Sequence, residues 1–579
     1  MDQSSPRRQV TPPFAPLGDL QALPDDHDEW ALTVLAPLRA RARQYPADAA
    51  AHLDLAEALR QAGRIEQAVG AYVDTINSHS PLPVSPAVYI HLITALQAVG
   101  RDEQALYVAQ QGAGTCDGEP GYWLAIGHCH AQRGEYPVAV AAYERCLLTP
   151  PTPLSETTGP LVIHRDAHIG LSQSHAGQSD PLAAARALMN AEWIAGDHWQ
   201  VWQARLRHLL SEHPFSAVAE RVDDVLARMH GSDRRQLSVT LAGALWLWGR
   251  ADEAQALLEQ AWATAIGADA PAALVDVAEA LMARGDPAAA VERLGRHRSL
   301  PGIPEALAIA LFRLGQWPAL AELCDTLWEQ PGSRSFAATY RGIARMRLGD
   351  FDGAEADCRA AVAGNPENIG AWHNLGLLAI SRERFGEAKA AFLEVIERHR
   401  LDAAAPVNLA RIALMEGDSR RVEHWLAEAL NALPPALSSI VQEGDGFKLL
   451  ATPELSAPMG WHSLIADLYA IWGSLLLSCG DKELGVQRLS LAALLAPGNG
   501  NHHLLIGIGL IDLQAPRLAR RFFSAAVARM PRSRTARARL TDAEALLSDQ
   551  ASLLAETTQA RFQYLDDLIA TLDSQGDWL

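Results

Sequence analysis

The chain of 579 residues carries 68 acidic against 49 basic side chains, and the resulting net charge of −19 repels nucleic acid and anionic membrane from the molecule as a whole. Apolar residues make up 49% of it and aromatic ones only 6%, a balance that excludes a sheet-rich protein and describes helices packed through small side chains. Length alone asks for about four globular domains of ~150 residues each, unless the chain is a one-dimensional array.

In chain order, residues 1–28 are rich in proline and lack the apolar run of a secretory leader, so they are expected to form a disordered arm. Residues 29–48 place Leu32, Leu35, Leu38 and Ala42 on one helical stripe that ends at Pro46, the pattern of an N-terminal capping helix. The six cysteines (Cys116, Cys129, Cys146, Cys324, Cys358 and Cys479) are scattered, without CxxC spacing, which fits a reducing cytoplasm. Lys389, Lys448 and Lys482 are the only lysines, an arginine bias that resembles a GC-rich bacterial genome. The most apolar stretch, Leu464 to Cys479, contains Asp467 and is shorter than the ~20 residues of a membrane span, so no such span is expected.

From residue 49 the sequence repeats. Gly63, Gly100, Gly134, Gly177, Gly249, Gly285, Gly315, Gly349, Gly417 and Gly480 stand in equivalent places. Small residues follow five positions later (Ala68, Ala105, Ala139, Ala254, Ala290, Ala354) and precede seven positions earlier (Ala56, Gly127, Gly170, Ala242, Ala278, Gly342, Ala410, Gly473). Such spacing predicts pairs of helices, A and B, whose backbones approach closely through the small residues, with the glycine ending helix A in the left-handed conformation. Pro151, Pro366, Pro434, Pro497 and Pro531 then close helix B. A lone pair leaves an apolar face uncovered, so neighbouring pairs must stack.

The segment AWHNLGLLAISRERFGEAKAAFLEV, with Trp372, Leu375, Gly376, Ala388 and Phe392 in register, resembles the tetratricopeptide repeat. The resemblance implies an all-α solenoid, a right-handed superhelix of about twelve or thirteen helix-turn-helix repeats. Repeats are expected to start near 49, 86, 120, 163, 235, 271, 301, 335, 369, 403, 466 and 500, with a degenerate unit over 197–234. The array over 49–433 is interrupted by a loop at 150–163, and 434–465 is an insertion that serves either as a binding face or as a spacer. Repeats resume over 466–533, and 534–579 form a C-terminal capping helix.

Searches for chemistry return isolated fragments. His164-Arg165-Asp166 lacks the companion motifs of a kinase, and Gly507-Ile508-Gly509 lacks both a third glycine and a preceding strand. His128, Cys129 and His130 sit on one helix, where successive side chains diverge by ~100° and cannot converge on a metal. No catalytic residue, cofactor or metal is expected.

Binding is the remaining expectation. In tetratricopeptide proteins the A helices line a concave groove, where Asn374 and Asn408, 34 residues apart, are similar to a two-rung version of the asparagine ladder in the superhelix of O-GlcNAc transferases. No glycosyltransferase domain follows them. Arg347, His373 and Arg411 fall beside these rungs, so a polar-to-basic groove over 335–415 is expected to take a peptide or partner protein. A second feature is the run Arg517, Arg520, Arg521, Arg529, Arg532, Arg534, Arg537 and Arg539, without an acidic residue between them. It is open to an acidic partner, a neighbouring repeat or plain solvent, with nucleic acid the weaker reading because no aromatic platform or reading motif interleaves the arginines. The function expected is an intracellular scaffold or adaptor; the alternative is a non-catalytic or degenerate subunit of an enzyme complex, such as a glycosyltransferase or secretion-system partner. Self-association through the C-terminal cap is a further option.

Overall fold

The computed structural model describes residues 31–77, 84–154, 159–178, 180–195, 201–206, 252–259, 271–283, 286–330, 333–444 and 461–549, with a few single positions between 225 and 250. Among these residues the regular structure is helical, with no strand. The chain divides between Glu367 and Asn368 into two compact units.

In the first unit a short π-helical turn, Ala31–Leu35, leads into α1 (Ala36–Gln44), which packs on the first helix pair, α2 (Ala49–Gln61) and α3 (Ile65–Asn77). The pairs α4 (Pro86–Ala98) with α5 (Asp102–Cys116), α6 (Pro120–Gln132) with α7 (Tyr136–Leu148), and α8 (Pro160–Gly177) with α9 (Pro181–Ala195) follow. After residues outside the description come α10 (Pro271–Ala283) and α11 (Pro287–Gly295), α12 (Ile303–Leu314) and α13 (Trp317–Trp328), then α14 (Arg334–Leu348) and α15 (Phe351–Gly364). Helices pack on their pair mates and, where consecutive pairs are described within the unit, on the next pair, so the apolar face of one repeat is covered by its neighbour. One such seam joins Ala139, Tyr143 and Cys146 of α7 to Ile163, Ala167 and Leu171 of α8 and Ala187 of α9.

Helix starts are written locally. Asp48 accepts a hydrogen bond from the Ala50 amide, Ser85 from Ala87 and Asp350 from Gly353, satisfying amides that have no partner inside the helix. The turns between A and B helices pass through left-handed Gly63, Gly100, Gly134, Gly315 and Gly349, as the glycine alignment requires. Gly177 departs from that expectation. It lies inside α8, where an added Cβ would sit 2.4 Å from the Tyr136 ring, so close packing is what demands glycine there.

The second unit contains α16 (Ile369–Ser381) with α17 (Phe385–Arg398) and α18 (Ala404–Glu416) with α19 (Ser419–Ala432). A short helix, α20 (Pro435–Glu443), precedes α21 (Trp461–Cys479) with α22 (Lys482–Leu495), α23 (Gly500–Asp512) with α24 (Pro516–Arg529), and α25 (Arg534–Asp549). Its core runs from Val407 and Leu426 through Tyr469 and Leu489 to Phe522, Phe523 and Ala536. One helical stretch among the described residues, His462–Cys479, is long and apolar enough to cross a membrane; Ile465, Leu468, Tyr469 and Ile471 of that stretch are buried in this core.

In the insertion, α20 is tied to the repeats that follow it: the Tyr469 hydroxyl donates to the Val441 carbonyl at 2.9 Å and the Arg488 guanidinium donates to that of Gln442 at 3.1 Å. The described part therefore packs against α21 and α22, while 445–460 lie outside the described residues. The arm over 1–28, most of the degenerate unit at 197–234 and the last thirty residues of the expected C-terminal cap lie outside them too. The loop expected over 150–163 is already helical at Pro160, because proline suits the first turn of a helix.

Candidate functional site

The groove residues predicted from sequence lie in two settings. Arg347, at the end of α14, is exposed and sits with its guanidinium 5.6 Å from the centre of the Trp317 ring. His373 and Asn374 on α16 and Asn408 and Arg411 on α18 are all buried, none above 5% exposure. The expectation that these four line an open trough needs correction, because their side chains are packed inside the chain. Both A helices are apolar around most of their circumference, so the few polar groups they carry are enclosed along with the rest.

Around Arg411 a buried polar cluster links successive A helices. Its guanidinium pairs with the Asp467 carboxylate on α21, a partner 56 residues away that the 34-residue period does not reach. His373 meets the Phe392 ring edge-on at 5.3 Å, and His502 on α23 places Nδ1 3.1 Å from the Ala492 carbonyl. Burial pushes both histidines down from the ordinary imidazole range. The Asp402 carboxylate opposes that shift at His373 and the Asp467 carboxylate opposes it at His502, while the Arg411 charge adds to it at both. The cluster therefore spans α16, α18, α21 and α23.

Several hydrogen-bonding groups in this cluster are unused. Asn408 donates from Nδ2 to the Ala404 carbonyl at 3.0 Å, while its Oδ1 accepts nothing, and neither ring nitrogen of His373 has a partner. Asp402, Asp467 and His502 were not singled out as site residues from sequence. Asp467 is an acid inside the most apolar helix, a sequence signal that counts against a membrane span and equally marks a buried ion pair.

In the first unit, a second polar group bridges consecutive A helices. Glu57 on α2 accepts from the Tyr72 hydroxyl at 2.7 Å and from Arg60 at 2.7 Å, and its Oε1 lies 2.6 Å from His91 Nδ1 on α4. Burial pushes the Glu57 carboxyl up, but hydrogen bonds from Arg60, Tyr72 and His91 together with the nearby His91 outweigh it and hold the group below the usual range. Glu57 and His91 are 34 residues apart, so the same repeat position supplies both halves of the contact.

Of the cysteines, Cys116, Cys129, Cys146, Cys324 and Cys358 are buried free thiols and Cys479 is exposed. Burial pushes the Cys129 and Cys358 thiols up to about 12, which makes them packing groups and poor nucleophiles or metal ligands. His128 packs against the Tyr143 ring while His130 lies 2.6 Å from Glu135, so these neighbours point to separate partners. Among the described residues no set of three or more His, Cys, Asp or Glu side chains is placed to hold a metal ion.

The family profile of the tetratricopeptide repeat matches residues 31–77, 339–388 and 373–432. Over these stretches the chain carries tetratricopeptide repeats. Curated relatives named FK506-binding protein-like, from Rattus norvegicus and Mus musculus, are each 33% identical to it over 112 residues, covering 17% of this chain and 32% of the relative. The chain thus spans about a third of the length of the relatives it matches. Similar solved structures include yeast Tom70, at 13% identity with 93% of this chain and 100% of that one covered and a TM-score of 0.34. Another is a tetratricopeptide repeat protein from Parabacteroides merdae, at 16% identity, 48% and 98% coverage and a TM-score of 0.35.

Proposed function

We propose that this tetratricopeptide-repeat protein is an intracellular interaction scaffold that takes an extended segment of a partner protein along its A helices. The reading rests on the unspent hydrogen-bonding capacity at Asn408 and His373. A buried polar group left unpaired costs about 1–3 kcal/mol, so its persistence in a helical array calls for a use. The main chain of a bound peptide offers both an N–H and a C=O, which an amide and an imidazole can meet whatever the peptide's sequence. Engagement requires local opening of the array to expose them, and repeat arrays open locally at modest cost because each repeat contacts only its neighbours. The five buried free thiols, shifted upward by burial, are in keeping with a reducing cytoplasm.

The test is affinity purification with crosslinking from the native host, comparing the natural chain with an Asn374→Ala, Asn408→Ala double variant whose helicity and melting temperature are matched. The reading expects a partner crosslinked to 369–416 in the natural chain and lost from the variant. Recovery of every partner at equal yield, with crosslinks elsewhere, would overturn it.

A further inference from the structure

From Arg517 to Arg539 the chain carries eight arginines and no acidic residue. Many surface arginines elsewhere in the fold sit beside carboxylates: Arg41 on Asp54, Arg145 on Asp117, Arg296 on Glu292, Arg384 on Glu387. Arg517, Arg520, Arg532, Arg534 and Arg537 are exposed and none forms an ion pair among the described residues. Arg539, which pairs with Asp542 at 3.8 Å, marks the far edge of the patch. In a chain with 68 acidic side chains against 49 basic ones, a run of eight arginines without an acidic residue is a local reversal of sign.

The scaffold beneath the patch is well packed. Phe522, Phe523, Ala525 and Ala526 of α24 are buried and Ala536 and Ala543 of α25 join them in one core, so the two helices that carry the arginines are packed on each other. Like charges held together repel one another, and an incoming anion relieves that repulsion while gaining paired hydrogen bonds to each planar guanidinium.

We infer that this face of α24 and α25 is a docking surface for a carboxylate-rich polypeptide segment. Carboxylate is favoured over single-stranded nucleic acid because Phe522 and Phe523, the only aromatic residues between 517 and 539, are both fully buried. A single-strand binder needs exposed rings on which bases stack. The net charge of −19 also repels a long polyanion, whereas a short acidic segment meets mainly the local patch within one Debye length of ~10 Å. The surface is separate from the A-helix cluster, so the two assignments stand or fall independently.

The experiment titrates the full chain against a fluorescein-labelled oligoglutamate peptide and an oligothymidylate of equal length, by anisotropy at low and at physiological salt. The expected result is peptide binding that weakens with salt and exceeds oligothymidylate binding. Changing Arg517, Arg520, Arg534 and Arg537 together to Gln should weaken peptide binding at least about tenfold, the combined effect of several rim charges. Should that variant lose its fold by circular dichroism, the corresponding Arg→Lys variant keeps the charge and loses the planar fork, and a drop of several-fold is expected. Equal affinity of the folded variant and the natural chain overturns the proposal. So does tighter binding of oligothymidylate, which would assign the patch to phosphate. Self-association abolished by the arginine changes, with no peptide binding, would overturn it in favour of a second copy of the chain.

Discussion

Arg39 and Glu367 meet as a buried ion pair at 2.7 Å across 328 residues, joining α1 to the turn after α15 within the first unit. Their side chains are 7% and 3% exposed, and Glu367 is held in place as its backbone N–H donates to Asn365 at 3.0 Å. A helix at the start of the array is thus bound to a turn at the end of the same unit. Removing one partner leaves a buried charge, so Glu367→Gln is expected to destabilise the first unit by about 3–5 kcal/mol. Replacing both, as Arg39→Met with Glu367→Leu, should cost far less. Urea unfolding of the single and double variants checks the energies, and hydrogen exchange over 36–44 should rise in the single variant.

Arg411 and Asp467 form the corresponding link in the second unit. Asp467→Asn removes the ion-pair carboxylate of a guanidinium that is 5% exposed, at an expected cost of about 3 kcal/mol. A double-mutant cycle with Arg411→Gln is expected to show strong coupling, and independent additive losses would mean that the contact carries no energy.

Stability of the second unit should fall in mild acid. Burial holds His503 down at about 4 from an ordinary 6.5, despite the opposing hydrogen bond from its Nε2–H to the Pro497 carbonyl. Between those pH values the unfolded chain binds the proton and the folded chain does not, so stability is lost as pH falls from 6.5 toward 4. The loss approaches about 3 kcal/mol at ~1.4 kcal/mol per pH unit. His373 and His502, also pushed down by burial, act in the same direction. His503→Gln keeps a donor for Pro497 but cannot titrate, so the slope of melting temperature against pH should become shallower.

Two backbone positions give opposite expectations. A Cβ at Gly376 would lie 2.5 Å from the Phe392 ring, so Gly376→Ala should destabilise α16 against α17 by about 1–3 kcal/mol through overpacking. Glu383, with φ of 58°, holds a left-handed position that glycine fills in other repeats, and Glu383→Gly should stabilise by roughly 1 kcal/mol, less the added freedom of the unfolded chain. Thermal melts of both variants decide the signs.

Glu383 and Gln514 also mark how far the repeat could be read. Glycine alignment located the turns at Gly63, Gly100, Gly134, Gly315, Gly349, Gly417 and Gly480, all left-handed in the structure. It passed over Glu383 and Gln514, which adopt the same conformation without the residue that advertises it. The asparagines at 374 and 408 were legible as equivalent positions, but their enclosure was not, since a periodic pattern says which helix a side chain belongs to and leaves open how much of that helix is covered.

Helix pairing, the small residues between paired backbones and the caps at helix starts are determined by the sequence alone, because each depends on residues a few positions or one period apart. The partners of Arg39 and Arg411, the burial of His373 and the exposure of Arg517, Arg520, Arg534 and Arg537 were decided by the tertiary structure. Charge pairing and desolvation depend on distance in space, and here that distance is set by stacking across 328 residues in one unit and across an insertion in the other.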